Sequence, residues 1–240
     1  MKTRLDRMIV ERGLVESREK AQALIMAGEV LVNGQKAFKP GQPVTAECPI
    51  EILGRPPYVG RGGIKLAAAL RHFAIDVAGK TCLDIGSSTG GFTDALLQAG
   101  AARVHAVDVG AGQLAWSLRT NPRVVLHERI NARGLRFEDI GEQVHFLACD
   151  VSFISVTLIL PAAAPLLRSD GQMVILIKPQ FEIGKGLVGK GGIVREPELH
   201  QAACERVTRA AWECGFETSV MESPILGAEG NKEFLLHAHH

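Results

Sequence analysis

The chain has 240 residues, 46% of them hydrophobic, with 27 Lys and Arg against 26 Asp and Glu. That length accommodates one full-sized domain and a smaller one, and the composition excludes a disordered or fibrous chain. No run approaches roughly eighteen uninterrupted apolar residues, so no spanning helix is expected. The charged start, MKTRLDRMIVERG, has no apolar stretch of signal-peptide length. The five cysteines, at 48, 82, 149, 204 and 214, form no CxxC pair. This disfavours a disulfide framework or a zinc site and fits a reducing, cytoplasmic setting, with no metal and no membrane among the partners.

Residues 3–12, TRLDRMIVER, place Leu5, Met8 and Ile9 at helical spacing before Gly13. Ser17 reads as the N-cap of a second helix, whose Ala21, Leu24 and Ile25 share a face before Gly28. The run VLVNGQKAF then predicts a hairpin around Asn33-Gly34. Residues 1–47 thus read as a small α+β domain. The Pro- and Gly-rich stretch over 48–60 reads as a short closing strand and a linker. From residue 61 to 240 the pattern changes. A helix over 64–73 precedes strands expected at 81–85, 103–108, 123–127, 144–150 and 172–178. They alternate with helices expected at 91–99, 111–119, 155–168 and 196–214. Such alternation implies an α/β fold, a parallel sheet covered on both faces. The final segments, FETSVMES and NKEFLLHA, have no helix between them and predict a terminal antiparallel hairpin.

The stretch CLDIGSSTGGFTDAL, residues 82–96, is an apolar strand that ends in an acid and turns through glycines into a helix. Ligands of open α/β sheets sit at this kind of strand end. Asp108 ends the next strand, where a carboxylate can accept both hydroxyls of a ribose. The spacing Gly86-x-x-x-Gly90-Gly91 is neither GxGxxG nor a Walker loop. The loop has no basic residue, which suits a ligand without phosphate, such as S-adenosylmethionine. The other reading is a merely structural glycine-rich turn.

Four more residues fall at positions where chemistry is possible. Lys65 lies on the helix before the first strand, and Asp150 closes the fourth strand in ACDVSF. Lys178 closes the fifth in VILIKPQ, and Glu233 opens the last in GNKEFLL. A hydroxyl is a poor nucleophile until its proton is removed, and a lysine does this only when desolvation or a neighbouring cation tunes it. Taken singly, Lys65 also reads as a solvated helix lysine and Glu233 as an edge-strand charge.

With DIGSSTGGFTD, RGGIKL, CDVSFIS, IKPQFE and GNKEF together, the chain closely resembles the TlyA (hemolysin A-like) family of ribosomal RNA 2′-O-methyltransferases. Residues 1–47 resemble the alpha-L RNA-binding module of ribosomal protein S4. The remainder is similar to FtsJ-type class I methyltransferases with a Rossmann-like sheet. The resemblance implies S-adenosylmethionine held by Asp84, Gly86, Ser87, Ser88, Gly90, Gly91, Phe92, Thr93, Asp108, Asn131 and Asp150. It also implies a catalytic tetrad of Lys65, Asp150, Lys178 and Glu233, with Lys178 as the base that activates a ribose 2′-hydroxyl, and cytidine in ribosomal RNA as the target. Arg4, Arg7, Arg12, Arg18, Lys20 and Lys36 are the candidate phosphate contacts of the first domain. The glycine-rich stretch GKGLVGKGGIVRE, residues 184–196, reads as a mobile loop that brings Lys185, Lys190 and Arg195 over bound RNA. Two other functions compete: an RNA-binding ribosome-assembly factor whose methyltransferase domain is silent, and a membrane-lytic protein. No long cationic amphipathic segment supports the second.

Overall fold

The computed structural model describes residues 2–54, 57–227 and 229–240, with the side chains of residues 185 and 190 left out. Chain contacts divide it into two units, Met1–Pro57 and Tyr58–His240.

The first unit runs β1 (Lys2–Arg4), α1 (Leu5–Glu11), α2 (Arg18–Met26), β2 (Val30–Val32), β3 (Gln35–Lys36), β4 (Pro43–Thr45) and β5 (Ile50–Ile52). Ser17 caps α2, its Oγ accepting from the Lys20 amide at 3.2 Å. The turn between β2 and β3 places Asn33 at φ 53° and Gly34 at φ 77°. Two consecutive positive φ values are what a two-residue type I′ hairpin needs, and Asn-Gly supplies them at little steric cost. Leu5, Ile9, Ala21, Ile25 and Val30 form a fully buried core. Two strands escape the sequence pattern. β1 pairs antiparallel with β4, and both are too short to show alternation. β5 is the short closing strand expected in the 48–60 stretch, and it pairs with β2.

The second unit runs α3 (Gly62–His72), β6 (Thr81–Ile85), α4 (Gly91–Gln98), β7 (Arg103–Asp108), α5 (Trp116–Arg119), β8 (Val124–Glu128), α6 (Phe137–Ile140), β9 (Val144–Cys149), α7 (Leu160–Ala163), β10 (Leu167–Ile177), α8 (Pro179–Glu182), α9 (Pro197–Glu213), β11 (Glu217–Glu222) and β12 (Phe234–His239). Its seven strands lie in the order β11-β12-β10-β9-β6-β7-β8. Strands β6 to β10 are mutually parallel, whereas β12 is antiparallel to both β10 and β11. This is the α/β class I methyltransferase sheet, with the terminal hairpin on one edge.

Strand side chains alternate between two cores. Leu83, Ile85, Leu147, Met173 and Ile175 face α9, which buries Ala203, Val207 and Ala211. Cys82, Phe146, Val174 and Leu176 face α3 and α4, which bury Leu66, Ala69, Phe92 and Leu96. The chain leaves β6 for β7 and β8 on one side and returns to β9 on the other. The carboxyl ends of β6, β7 and β9 therefore surround the crevice where ligands of such sheets bind.

Two expected helices are mostly absent. Over 155–168 the chain makes a 3₁₀ turn at Val156–Leu158, the single turn α7, and a second 3₁₀ turn at Ala164–Leu166. Pro161 and Pro165 each remove an amide donor and clash with the preceding turn, so no continuous helix forms. Over 111–119 only Trp116–Arg119 is helical. Gly112 at φ 74° and an amide committed to the Glu128 carboxylate at 2.7 Å hold the preceding loop open. β10 starts earlier than expected, at Leu167, with a register shift against β9 before Gln172.

Candidate active site

Three strand ends build the site. At the end of β6, Gly86 adopts φ 84° and donates its amide to Val107 at 2.9 Å. A Cβ there would collide with the Asp150 carbonyl, so only glycine lets β6 and β9 finish side by side. The Asp150 amide completes the contact by donating to Ile85 O at 2.9 Å. At the end of β7, Asp108 accepts the Ser88 amide at 2.8 Å and the Gly110 amide at 2.7 Å, one on each oxygen. Each oxygen keeps a further lone pair. Asn131 lies at the rim, its Oδ1 accepting from the Arg133 amide at 3.1 Å.

A cavity of about 470 Å³ opens over these ends. Gly86, Ser88 and Asp108 line one side, Ile130, Asn131 and Ala132 another, and Asp150, Ser152 and Phe153 the third. A smaller adjoining space reaches Ser87, Gly91, Phe92 and Asp150. Among the described residues, three buried oxygens in this region have no hydrogen-bond partner: Asp84 Oδ1, Ser87 Oγ and Asp150 Oδ1. The other Asp84 oxygen accepts from Thr93 Oγ1 at 2.6 Å. Burial pushes the Asp84 carboxyl up to about 7, with the Asp150 charge adding to the shift and the Thr93 hydroxyl opposing it.

These features fit S-adenosylmethionine. A buried carboxylate with a free lone pair suits an ammonium group, and paired lone pairs on Asp108 suit two ribose hydroxyls. The apolar wall of Ile130 and Ala132 suits a flat base. No cation lines the cavity to claim a phosphate. Gly90 at φ 101°, Gly91, Phe92 and Thr93 serve this site by starting α4 behind the loop. Phe92 and Thr93 are buried beneath it.

The four residues of the expected tetrad form two lysine–carboxylate pairs. Lys65 is buried against Glu233. Lys178 Nζ lies 2.5 Å from Asp150 Oδ1 and donates to Ser152 Oγ at 2.8 Å. A second cavity, of about 380 Å³, is lined by Ser152, Phe153, Lys178, Phe181 and Glu233. Ser152 and Phe153 line both cavities and so stand between them. Neither was singled out in the sequence, although both lie in CDVSFIS. Phe153 is 92% exposed, holds φ 66°, and packs on Phe181 with ring centroids 5.3 Å apart. Glu182 was also missed. It is buried, accepts from Ser155 Oγ at 2.5 Å and from the Val156 amide at 2.9 Å, and is raised by burial.

The candidate phosphate contacts of the first unit are mostly committed within it. Arg4 and Arg18 both bind the fully buried Asp6, with Gln22 as a further donor. The Arg4 hydrogen bond leads in holding the Asp6 carboxyl far below the usual carboxylate range. Arg7 pairs with Glu11, Lys20 with Glu16, and Arg12 donates to Ala46 O. Lys36 is exposed on β3. Asp6, Glu11 and Glu16 thus partner cations of this unit. In the second unit Arg195 is exposed, and the Lys185 and Lys190 side chains lie outside the described residues.

The glycine-rich stretch 184–196 is tied down at its far end, unlike the mobile loop that composition implied. Buried Asn231 donates to Gly192 O at 2.9 Å and accepts the Val194 amide at 2.9 Å, and His200 Nε2 lies 2.9 Å from Val194 O. The partner comes from GNKEF, distant in sequence, so local composition carried no trace of it.

Among the described residues no helix is long and apolar enough to cross a membrane, and no group of three His, Cys, Asp or Glu is placed to hold a metal. Residues 3–47 match the S4 domain and residues 58–240 the FtsJ-like methyltransferases. The 16S/23S rRNA (cytidine-2′-O)-methyltransferase TlyA of Mycobacterium tuberculosis is 48% identical over 98% of this chain and 89% of that protein. Hemolysin A of Brachyspira hyodysenteriae is 44% identical over 98% of both. A solved hemolysin-named protein of Streptococcus thermophilus superposes with a TM-score of 0.77 at 44% identity, covering 99% of this chain and 88% of that one. The chain is therefore a member of the TlyA, or hemolysin A-like, family of S-adenosylmethionine-dependent methyltransferases.

Proposed function

We propose that the protein methylates the 2′-hydroxyl of a cytidine ribose in ribosomal RNA through a tetrad in which Lys178 is the base, Asp150 its counter-charge, and Lys65 with Glu233 a buried pair that holds the site together. The observation that carries this reading is the placement of Lys178. Its amine sits beside Asp150 at the wall shared by the cofactor cavity and a second, open cavity. A base in that position reaches a hydroxyl entering from one side while the methyl donor lies on the other. The names of the relatives support RNA as substrate and the ribose oxygen of cytidine as acceptor.

S-adenosylmethionine supplies a sulfonium methyl whose C–S electron pair leaves with sulfur as the new C–O bond forms. Asp84 and Asp108 bind and orient the donor, and Asn131 closes its rim. Lys178, in its neutral form, takes the proton from the 2′-hydroxyl and ends as the ammonium, which Asp150 stabilises. Lys65 and Glu233 form a buried pair that fixes α3 against the start of β12, with Arg61 Nη2 donating to Leu226 O at 2.7 Å alongside. Aligned reactants supply much of the acceleration in such a displacement. The S4 domain supports a folded-RNA substrate through backbone contacts, since Arg4 and Arg18 are held ready by Asp6.

The test is transfer of labelled methyl to unmodified ribosomal subunits, followed by nuclease mapping. Label resistant to alkaline cleavage at one cytidine supports the reading. Label on a base, or on another class of RNA alone, contradicts it. RNA and cofactor binding without transfer would support the silent assembly factor instead.

A further inference from the structure

We propose that Ser152 is a positioning residue for the methyl-transfer reaction: its hydroxyl, with Asp150, aims the Lys178 lone pair into the substrate cavity. This rests on the reading of Lys178 as the base.

The argument starts from the amine. In its basic form a lysine nitrogen carries two N–H bonds and one lone pair, arranged tetrahedrally about the Cε bond. A single hydrogen-bond partner leaves that group free to rotate, and the lone pair sweeps a cone. A second contact, from an ion pair, restricts the rotation. Lys178 Nζ is held from two sides: it donates to Ser152 Oγ at 2.8 Å and lies in ion-pair contact with Asp150 Oδ1 at 2.5 Å. The lone pair is then confined to the side of Nζ that neither contact occupies. The open space beside Nζ is the cavity bounded by Ser152, Phe153, Phe181 and Glu233.

The hydroxyl can only aim the amine if it is itself held. Residue 150 is fixed by its amide bond to Ile85 O at 2.9 Å. Three residues beyond Ser152, the chain is gripped again. The buried Glu182 carboxylate accepts from both Ser155 Oγ and the Val156 amide. Between these anchors Phe153 is kept at φ 66°, a conformation a bulky residue adopts only when its surroundings impose it. Ser152 therefore sits on a segment fixed at both ends, and Glu182 lies on the helix that directly follows Lys178. The base and its second anchor are positioned by one short piece of structure.

Ser152 is exposed, so its substitution leaves the core intact. The experiment compares wild type, Ser152→Ala, Ser152→Thr and Lys178→Ala in steady-state methyl transfer to unmodified subunits, with melting temperatures recorded. Loss of one aiming hydrogen bond is expected to lower kcat about tenfold in Ser152→Ala. KM for S-adenosylmethionine and for RNA should stay within about twofold, because the hydroxyl orients the base rather than either substrate. Ser152→Thr keeps a hydroxyl and should restore kcat. Wild-type kcat in Ser152→Ala with an inactive Lys178→Ala overturns the Ser152 role alone. A loss carried by KM, or one that threonine does not rescue, also overturns it. Full turnover by Lys178→Ala defeats the base assignment, and the Ser152 role with it.

Discussion

Two lysine–carboxylate pairs stand in one methyltransferase domain, and they differ in what surrounds them. The side chains of Lys65 and Glu233 are 9% and 3% exposed, and Lys65 lines neither of the two cavities described above. Those of Lys178 and Asp150 are 12% and 21% exposed, and their lysine opens on the second cavity with a serine at its side. In the proposed reaction the same two functional groups thus serve as a clamp in one place and as a reactive centre in the other. Sequence gives both pairs equal standing, since a lysine and an acid look alike in either. Burial and the neighbouring space separate them.

The contrast is sharpest in the carboxylates. Asp150→Ala leaves Lys178 without its counter-charge at an open site. It should lower kcat by about 10²–10⁴-fold, the range for disabling a general base, with little change in melting temperature. Glu233→Ala leaves an unpaired ammonium in the interior. It should cost about 3–5 kcal/mol of stability, read by chemical denaturation, and any loss of turnover should follow the loss of folded protein. If the two variants behaved alike in both assays, the distinction between clamp and reactive centre would fail.

The cofactor side offers a pH signature. Asp84 keeps its proton up to about 7 in the folded protein, whereas an unfolded carboxyl releases it near pH 4. The folded state thus binds the extra proton between these values, and its stability falls as pH rises from about 4 to 7. Asp84→Asn should flatten that slope in the cofactor-free protein. Binding of an ammonium-bearing ligand needs the ionised form. S-adenosylmethionine affinity should therefore rise about tenfold from pH 6 to pH 8 in calorimetry, with proton release on binding that depends on buffer ionisation heat. A flat affinity profile would mean that Asp84 does not meet the ligand's charge.

The smallest effect concerns the support of the reactive pair. Glu182→Gln retains one acceptor for Ser155 or Val156 but loses the charge. A cost of about 1–3 kcal/mol is expected for the group left unsatisfied. The variant should also lower kcat, because the segment carrying Ser152 is loosened, while Glu182→Asp should recover part of it. A stability loss without any change in kcat would show that the segment's rigidity is irrelevant to the reaction.

What sequence made legible follows from the range of each signal. Strands β6, β7, β9 and α9 were readable because each is a run of one periodicity, and the Asn33-Gly34 turn because its chemistry is local. The glycine loop, Asp84 and Asp108 were readable from position at strand ends. The tetrad came from resemblance, because Lys65 and Glu233 lie 168 residues apart and no local pattern joins them. The broken helix at 155–168 was misread because the apolar run outweighed two prolines. Asp6 gathering Arg4 and Arg18, Glu182 holding Ser155, and Asn231 holding the glycine-rich stretch were invisible for a common reason. Each is a buried side chain with at least one partner distant in the chain. Composition records the charges but not the pairings.

The most direct test of the account is labelled methyl transfer from S-adenosylmethionine to unmodified ribosomal subunits, with wild type and Lys178→Ala assayed side by side. Both proteins should bind cofactor and subunits equally. Label should appear in RNA with the wild type and fall by at least about 10²-fold with the variant. Equal labelling by the two proteins would contradict the assignment of Lys178 as the base, and with it the contrast between the buried and the open pair.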